Sequence, residues 1–396
     1  MKNKYKKPNP FVYGIFVFLC KIISKFKFKL KIKRNELKGK KGPYIVIANH
    51  ESAIDFINLA AAIKKRVHFI ISYSFYSTVG IRGIMDACGL IPKQQFQTTP
   101  LEIKKMKQVI SNNMPLAIYP VGLMSENGMS TDPNFATASL LKFLDTDVYV
   151  AYTTGSYLTN PKWSKIKRKG QITLDIYKLY DSQELKTLSQ EEIYANIVEH
   201  LRYDDYTEQE KNMIPYKKGN NVEGLEYVLY KCPDCGREYT ITSNKDTLKC
   251  SNCGYEVKAD KYGFLNMVKG KKYYKKPSDW FLYIQEDLHQ FIENNPDYEF
   301  EAHGTVSIVN HKKQKFEVVG DGTATINKNN MTFKGIINNE PVDKTFKTSS
   351  YPLLPYSPGR HIELQEGQNI YRVSFDNPFD NGKFILLLKE FNNNKN

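Results

Sequence analysis

His50 and Asp55 are five positions apart in Asn49-His50-Glu51-Ser52-Ala53-Ile54-Asp55. The residues before them, Tyr44-Ile45-Val46-Ile47-Ala48, are apolar and follow a Gly42-Pro43 turn, the pattern of a buried strand. The stretch after them, Phe56 to Ile63, reads as helix. His50 therefore falls on a strand-to-helix turn, with Asp55 in the first helical turn. A carboxylate placed there can fold back and accept a hydrogen bond from one imidazole nitrogen. The other nitrogen is left basic and can take a proton from a hydroxyl. This is a general base and its orienting acid, without a serine nucleophile. Ser52 reads as helix-start chemistry, and Cys20 and Cys88 as packing thiols.

A second chemistry is spelled by Cys232-Pro233-Asp234-Cys235-Gly236 and Cys250-Ser251-Asn252-Cys253-Gly254, with fourteen residues between the pairs. The glycine after each pair lets the backbone turn so that amides can point at the thiolates. Four thiolates at this spacing suit a tetrahedral structural zinc in a zinc ribbon, although rubredoxin-like iron sites share the knuckle. No open ligand position is evident, so the metal is expected to clamp a module too small for its own core. The ribbon's bases and acids nearly balance, which argues against nucleic acid as a partner. His68, His200, His289, His303, His311 and His361 lack paired ligand spacing and read as structural or surface.

Further segments sharpen the first site. Gly89-Leu90-Ile91-Pro92-Lys93, Leu116-Ala117-Ile118-Tyr119-Pro120-Val121-Gly122 and Val148-Tyr149-Val150-Ala151 follow the Asn-His-x4-Asp motif in order. Together these blocks resemble the glycerolipid (1-acylglycerol-3-phosphate) acyltransferase family across about residues 25–200. Gly155 to Leu158, Pro161 to Trp163 and Arg168 to Ile172 continue the likeness. The resemblance implies an α/β domain, a mixed sheet with flanking helices. It also implies transfer of an acyl group from acyl-CoA or acyl-carrier protein to a lysophospholipid hydroxyl. His50 and Asp55 would be catalytic. Asn49, Arg82, Lys93, Pro120 and Gly122 would bind substrate, with Lys93 and Arg82 neutralising the acceptor phosphate. Two positions depart from the family. The third block is normally Phe-Pro-Glu-Gly, and its glutamate is Val121 here. Lys93 stands where arginine is usual, a point charge without the bidentate fork. A degenerate, non-catalytic membrane adaptor is the rival reading that Val121 suggests.

The elements around these sites set the molecule's partners. Net charge is +15 over 396 residues, yet residues 1–41 alone carry +13 and the rest only +2. An anionic surface met by the N-terminal arm is therefore the first partner to consider. Phe11 to Ile23 is apolar except for Lys21, but thirteen residues span only about 20 Å as a helix, too short to cross a bilayer. No small-residue cleavage site follows and the next residues are basic, which disfavours a signal peptide. An in-plane anchor on the cytoplasmic face of the cell membrane is expected. Lys25 to Lys33 alternates lysine with Phe26, Phe28, Leu30 and Ile32, which predicts a strand with the apolar residues inward. A solvated edge strand is the blander reading of the same run.

The expected boundaries are an anchor helix over 1–24, an acyltransferase-like domain over 25–202 and a linker over 203–230. A zinc ribbon over 231–270 and a helix with a β-rich domain over 271–396 follow. Ser278 to Asn294 reads as an amphipathic helix capped by Ser278. Beyond Tyr298, short alternating runs broken by Asn-Asn, Gly-Asp-Gly and Pro-Gly predict a small antiparallel sandwich or barrel. It would resemble pleckstrin-homology or GRAM modules in strand number, with residues 379–391 a last strand or a closing helix.

Overall fold

The computed structural model describes residues 7–94, 99–166, 168–367 and 369–393. The chain divides into two compact units, one made of residues up to 161 with 168–217, the other of 162–167 with 218 onward.

In the first unit, helix α1 (Pro10–Phe26) leads to strand β1 (Lys31–Asn35) and then β2 (Ile45–Ala48). Helix α2 (Asp55–Ala62), β3 (His68–Ser72), α3 (Tyr73–Thr78), α4 (Arg82–Ala87), β4 (Ile91–Lys93) and α5 (Pro100–Ser111) follow. Next come β5 (Leu116–Ile118), α6 (Ala136–Leu144), β6 (Val148–Thr154), α7 (Ser156–Thr159) and β7 (Thr173–Tyr180). Helices α8 (Ser182–Thr187), α9 (Gln190–Leu201) and α10 (Asp205–Asn212) close the unit.

The strands form one mixed sheet in the order β1-β7-β6-β2-β5-β3-β4. Strands β6, β2, β5, β3 and β4 run parallel, while β7 is antiparallel to β6 and β1 is parallel to β7. Internal parallel strands are covered on both faces, which is why Ile45-Val46-Ile47-Ala48 is apolar throughout. Ile45 and Ile47 join Leu116, Ile118, Val148 and Val150 beneath α5, α6 and α9. Val46 and Ala48 join Ala117, Tyr149 and Ala151 on the opposite face, beside α2. The expected α/β domain with flanking helices is what the chain forms.

Two expectations give way. The lysine-alternating run is not one strand. Helix α1 propagates to Phe26, Lys29 takes a left-handed backbone (φ 47°), and β1 begins only at Lys31. Of the four apolar side chains in that run only Phe28 is buried, while Phe26 and Ile32 are exposed. The strand that does form is the solvated edge strand of the blander reading. Residues 203–217 pack into the first unit and are no loose connection: Tyr203, Asp205, Tyr206 and Tyr216 are buried there.

In the second unit a meander of β8 (Ile241–Asn244), β9 (Thr247–Cys250), β10 (Glu256–Ala259) and β11 (Leu265–Lys269) carries the cysteine knuckles. Helix α11 (Pro277–Asn294) has Lys276 at its N-cap, so Ser278 lies inside the helix and buried, not at its cap. Then come β12 (Phe300–Asn310), β13 (Lys315–Ile326), β14 (Asn330–Ile337), β15 (Glu340–Lys347), β16 (Tyr356–Ser357), β17 (His361–Glu366), β18 (Asn369–Phe375) and helix α12 (Asp380–Asn393). These strands form an antiparallel sheet in the order β15-β14-β13-β12-β18-β17-β16. Of the segment 379–391, all but Phe379 lies in helix α12, which closes the module and buries Phe384 through Leu388. Gly320 is required where β13 crosses β14, since a Cβ there would meet the Ile336 carbonyl oxygen at 1.7 Å.

Candidate active site

The parallel strands deliver the motif residues to one edge of the sheet. His50 follows the C-terminal end of β2, Tyr119 to Gly122 follow β5, Lys93 ends β4 and Gly155 follows β6. In open α/β sheets this is the edge along which ligands bind. Lys93 is three strands from β2, about 14 Å at the usual strand spacing.

Asp55 folds back as the spacing predicts. Its Oδ2 accepts hydrogen bonds from His50 Nδ1 at 2.9 Å, Glu51 N at 2.8 Å and Ser52 N at 2.9 Å. With Nδ1 donating, Nε2 carries the free lone pair. The carboxylate is buried and the imidazole is 20% exposed, so the ring keeps access to solvent. The His50 carbonyl accepts from Ser125 N and from the Tyr203 hydroxyl, each at 3.2 Å, which fixes the backbone at His50. A cavity of about 340 Å³ shares Tyr203 with this site but does not include His50.

The structure adds two residues that sequence reasoning did not select. Glu51 is fully buried, and its Oε2 accepts from Ser156 N at 2.8 Å and Tyr157 N at 3.1 Å. Asp205 accepts from Gly155 N at 2.7 Å and Leu158 N at 3.2 Å. Two carboxylates thus take four successive amides of residues 155–158. Buried Arg168 donates to the Leu158 carbonyl at 3.4 Å, holding the same stretch from its carbonyl side. Burial, with the nearby charges of Asp205 and Asp55, pushes Glu51 well above the usual carboxylate range. Burial likewise pushes Asp205 up to about 7, although the amides of Gly155 and Leu158 pull the other way. An acidic residue in a loop or at a helix start looks like surface in a sequence, and only tertiary contacts reveal these two.

The other expected residues take varied places. Asn49 is buried, donates to Thr153 O at 2.7 Å and accepts from Thr153 N at 2.8 Å, lacing β2 to β6. It also donates to Glu51 Oε1 at 3.1 Å, so its amide is spent on positioning. Arg82 directs its guanidinium at the carbonyls of Tyr76 and Ser77, at the end of α3. Lys93 is half-buried, and burial lowers its pKa while Glu102 partly offsets this. Pro120 lies in a tight turn that the Gly122 amide closes on the Tyr119 carbonyl at 3.0 Å, so that amide is not open to an oxyanion. Ser52 is not a cap: its hydroxyl donates to the Asn160 carbonyl at 2.8 Å. Cys20 and Cys88 are buried.

In the second unit, the sulfurs of Cys232, Cys235, Cys250 and Cys253 all lie within 4.8 Å of one another. Cys232 and Cys253 are 3.7 Å apart, Cys235 and Cys250 3.8 Å. A tetrahedral metal bonded to each sulfur at about 2.3 Å would set its sulfurs about 3.8 Å apart, so the four residues fit such a metal. Gly236 and Gly254 take left-handed φ of 69° and 76° and close the knuckles onto the carbonyls of Cys232 and Cys250.

Two predictions follow from this geometry. Asp205 holds a proton in the folded chain over about pH 4 to 7 that the unfolded chain has lost. Its contribution therefore declines as pH rises through that window, by a few kcal/mol at most. Asp205→Asn should melt below wild type at pH 5, because its NH2 faces an amide. The gap should narrow by pH 8, and a gap constant across pH would refute the assignment. Elemental analysis should find one metal per chain, and Cys232→Ser or Cys250→Ser should lose it and lower the melting of the second unit.

Sequence comparison agrees with the geometry. A sequence model described as Acyltransferase matches residues 29–156. No curated protein matches the chain. Among solved structures it is similar to the 1-acyl-sn-glycerophosphate (LPA) acyltransferase PlsC of Thermotoga maritima, at 17% identity and a TM-score of 0.42. That match covers 50% of this chain and 81% of the other. Residues 29–156 thus resemble acyltransferases, and His50, Asp55, Lys93 and the Tyr119–Gly122 turn all lie inside that stretch.

Proposed function

We propose that this chain is a membrane-associated O-acyltransferase acting on a lysophospholipid such as 1-acylglycerol-3-phosphate. The acyl donor is a thioester on coenzyme A or acyl carrier protein, and the product is phosphatidic acid or a related lipid. The observation that carries the reading is the 2.9 Å bond between His50 Nδ1 and Asp55 Oδ2, inside the stretch that resembles acyltransferases.

His50 Nε2 takes the proton of the acceptor hydroxyl as that oxygen bonds to the thioester carbonyl carbon. The carbonyl electron pair moves to its oxygen and returns as the carbon–sulfur bond breaks. The leaving thiolate recovers the proton from Nε2, so ester and thiol form and His50 is restored. Asp55 holds the productive tautomer and stabilises the imidazolium between the two transfers. Lys93 is suited to the acceptor phosphate. Among the described residues its Nζ makes one hydrogen bond, to the Gln94 carbonyl at 3.2 Å, and a phosphate would meet its partly desolvated charge.

The cysteine cluster is assigned to a structural zinc, the usual occupant of four-thiolate sites at this spacing. Membrane attachment is supported by α1. Its Tyr13, Cys20 and Ser24 are buried, while Phe11, Ile15, Phe18, Leu19, Ile22 and Phe26 are exposed along the rest of the helix. Among the described residues no helix is long and apolar enough to cross a membrane, and an in-plane helix needs no such length. Lysines 21, 25, 27, 29, 31 and 33 would face an anionic cytoplasmic leaflet at about 1 kcal/mol each. The Val121 departure favours the adaptor as a second reading.

Purified protein on anionic vesicles, given lysophosphatidate and either thioester donor, should form diacyl product. His50→Ala should lower turnover by about 10²-fold or more while folding and vesicle binding persist. Wild-type turnover in that variant would sink the mechanism, and no product from folded wild type would favour the adaptor. Sedimentation with anionic vesicles should weaken in high salt without vanishing. Replacing Phe11 and Phe18 together by serine should remove most of the binding that high salt leaves; undiminished binding would remove α1 from the membrane contact.

A further inference from the structure

Three residues at the His50–Asp55 pair, Asp55 itself among them, bury polar atoms that have no hydrogen-bond partner among the described residues. Asp55 commits Oδ2 to three N–H groups, but its Oδ1 is buried and unpartnered. Asn58 lies one turn further along α2, on the same helical face, fully buried with neither Nδ2 nor Oδ1 bonded. Tyr119 buries an unpartnered Oη. Its ring lies against the His50 imidazole, with centroids 4.5 Å apart and planes tilted by 32°. Burial and the charge of Asp55 both hold the phenol protonated, as a donor.

Leaving a buried polar group unmet costs about 1–3 kcal/mol. Native interiors leave few such groups, so this cluster beside the reactive pair requires an account. The groups are also complementary. Tyr119 Oη offers a donor, Asp55 Oδ1 an acceptor, and Asn58 one of each. A buried water makes two to four hydrogen bonds and can meet buried polar groups that the protein leaves unpaired.

We propose that Tyr119, Asn58 and Asp55 Oδ1 enclose one internal water, and that through it the Tyr119 hydroxyl fixes the Asp55 carboxylate against His50. The proposal rests on the acyl-transfer reading for its kinetic consequence, but not for the water itself. The Tyr119 O–H donates to the water, the water donates to Asp55 Oδ1, and the Asn58 amide supplies a further contact. Both oxygens of Asp55 are then held while His50 gains and loses its proton. Tyr119 is a positioning residue, since it reaches the acceptor only through Asp55 and His50. Its hydroxyl also belongs to this chain in particular, because the segment it resembles carries phenylalanine at that place.

Tyr119→Phe keeps the ring on His50 and removes only the hydroxyl. In the full-length protein on vesicles, kcat should fall about tenfold while KM for acceptor and donor stays within about twofold and melting is little changed. A general loss of structure would instead lower the melting temperature or move KM. Wild-type kcat in Tyr119→Phe overturns the positioning role. A crystal structure that resolves ordered water should show one molecule bonded to Tyr119 Oη and Asp55 Oδ1. Density showing none there overturns the proposal whether or not acyl transfer is observed. Absence of transfer by wild type counts against the proposed reaction, and the density still decides the water.

Discussion

One carboxylate oxygen organises the reactive end of the first unit. Asp55 Oδ2 takes an imidazole N–H and two backbone amides, all within 2.9 Å. Burying a carboxylate without partners is expensive, and several charge-assisted hydrogen bonds are what make it tolerable. The same bonds leave the motif loop little freedom, because the amides of Glu51 and Ser52 must both point at one atom. Histidine orientation is thus a by-product of satisfying a buried anion.

That loop would still drift without anchorage beneath it. The neighbouring carboxylate, Glu51, reaches the start of α7, and Asp205 arrives from α10 to share the same four-residue stretch. Asn49 adds two bonds to Thr153. The ends of β2 and β6 are therefore tied by side chains as well as by the sheet. This explains why the polypeptide from 203 to 217 cannot be a slack tether. Removing it would strip Asp205 from the buried Gly155 and Leu158 amides that donate to it.

What the sequence discloses and what it hides follow from the range of the forces involved. His50 and Asp55 are legible because their relation is local: five residues and one helical start settle it. The cysteine knuckles are legible for the same reason, since each pair closes its own turn. The buried strands announce themselves by unbroken apolar runs. Glu51 and Asp205 are silent, because a glutamate's burial is decided by amides more than a hundred positions away. The lysine-alternating run misleads because its period is compatible with a strand, while the helix before it gains more by continuing to Phe26. The β15 strand, Glu-Pro-Val-Asp-Lys-Thr-Phe-Lys, escaped notice because an exposed edge strand carries no apolar signature.

The charge distribution around the site bears on the Val121 departure. Three carboxyl groups, Glu51, Asp55 and Asp205, are already buried near one another, and burial first, then the charges of Asp205 and Asp55, raises the pKa of Glu51. A fourth carboxylate at position 121 would stand on the same sheet edge where Lys93 would receive a phosphate. Coulomb repulsion between like charges grows as water is excluded, so that glutamate would oppose an anionic acceptor as well as hydrogen-bond it. Valine removes the repulsion together with the hydrogen bond. The exchange therefore need not disable the edge. On the proposed acyl-transfer reading, it would shift discrimination away from a carboxylate that reads hydroxyls and toward the charge of Lys93. A site of that kind would select its acceptor by net charge more than by the pattern of its hydroxyls.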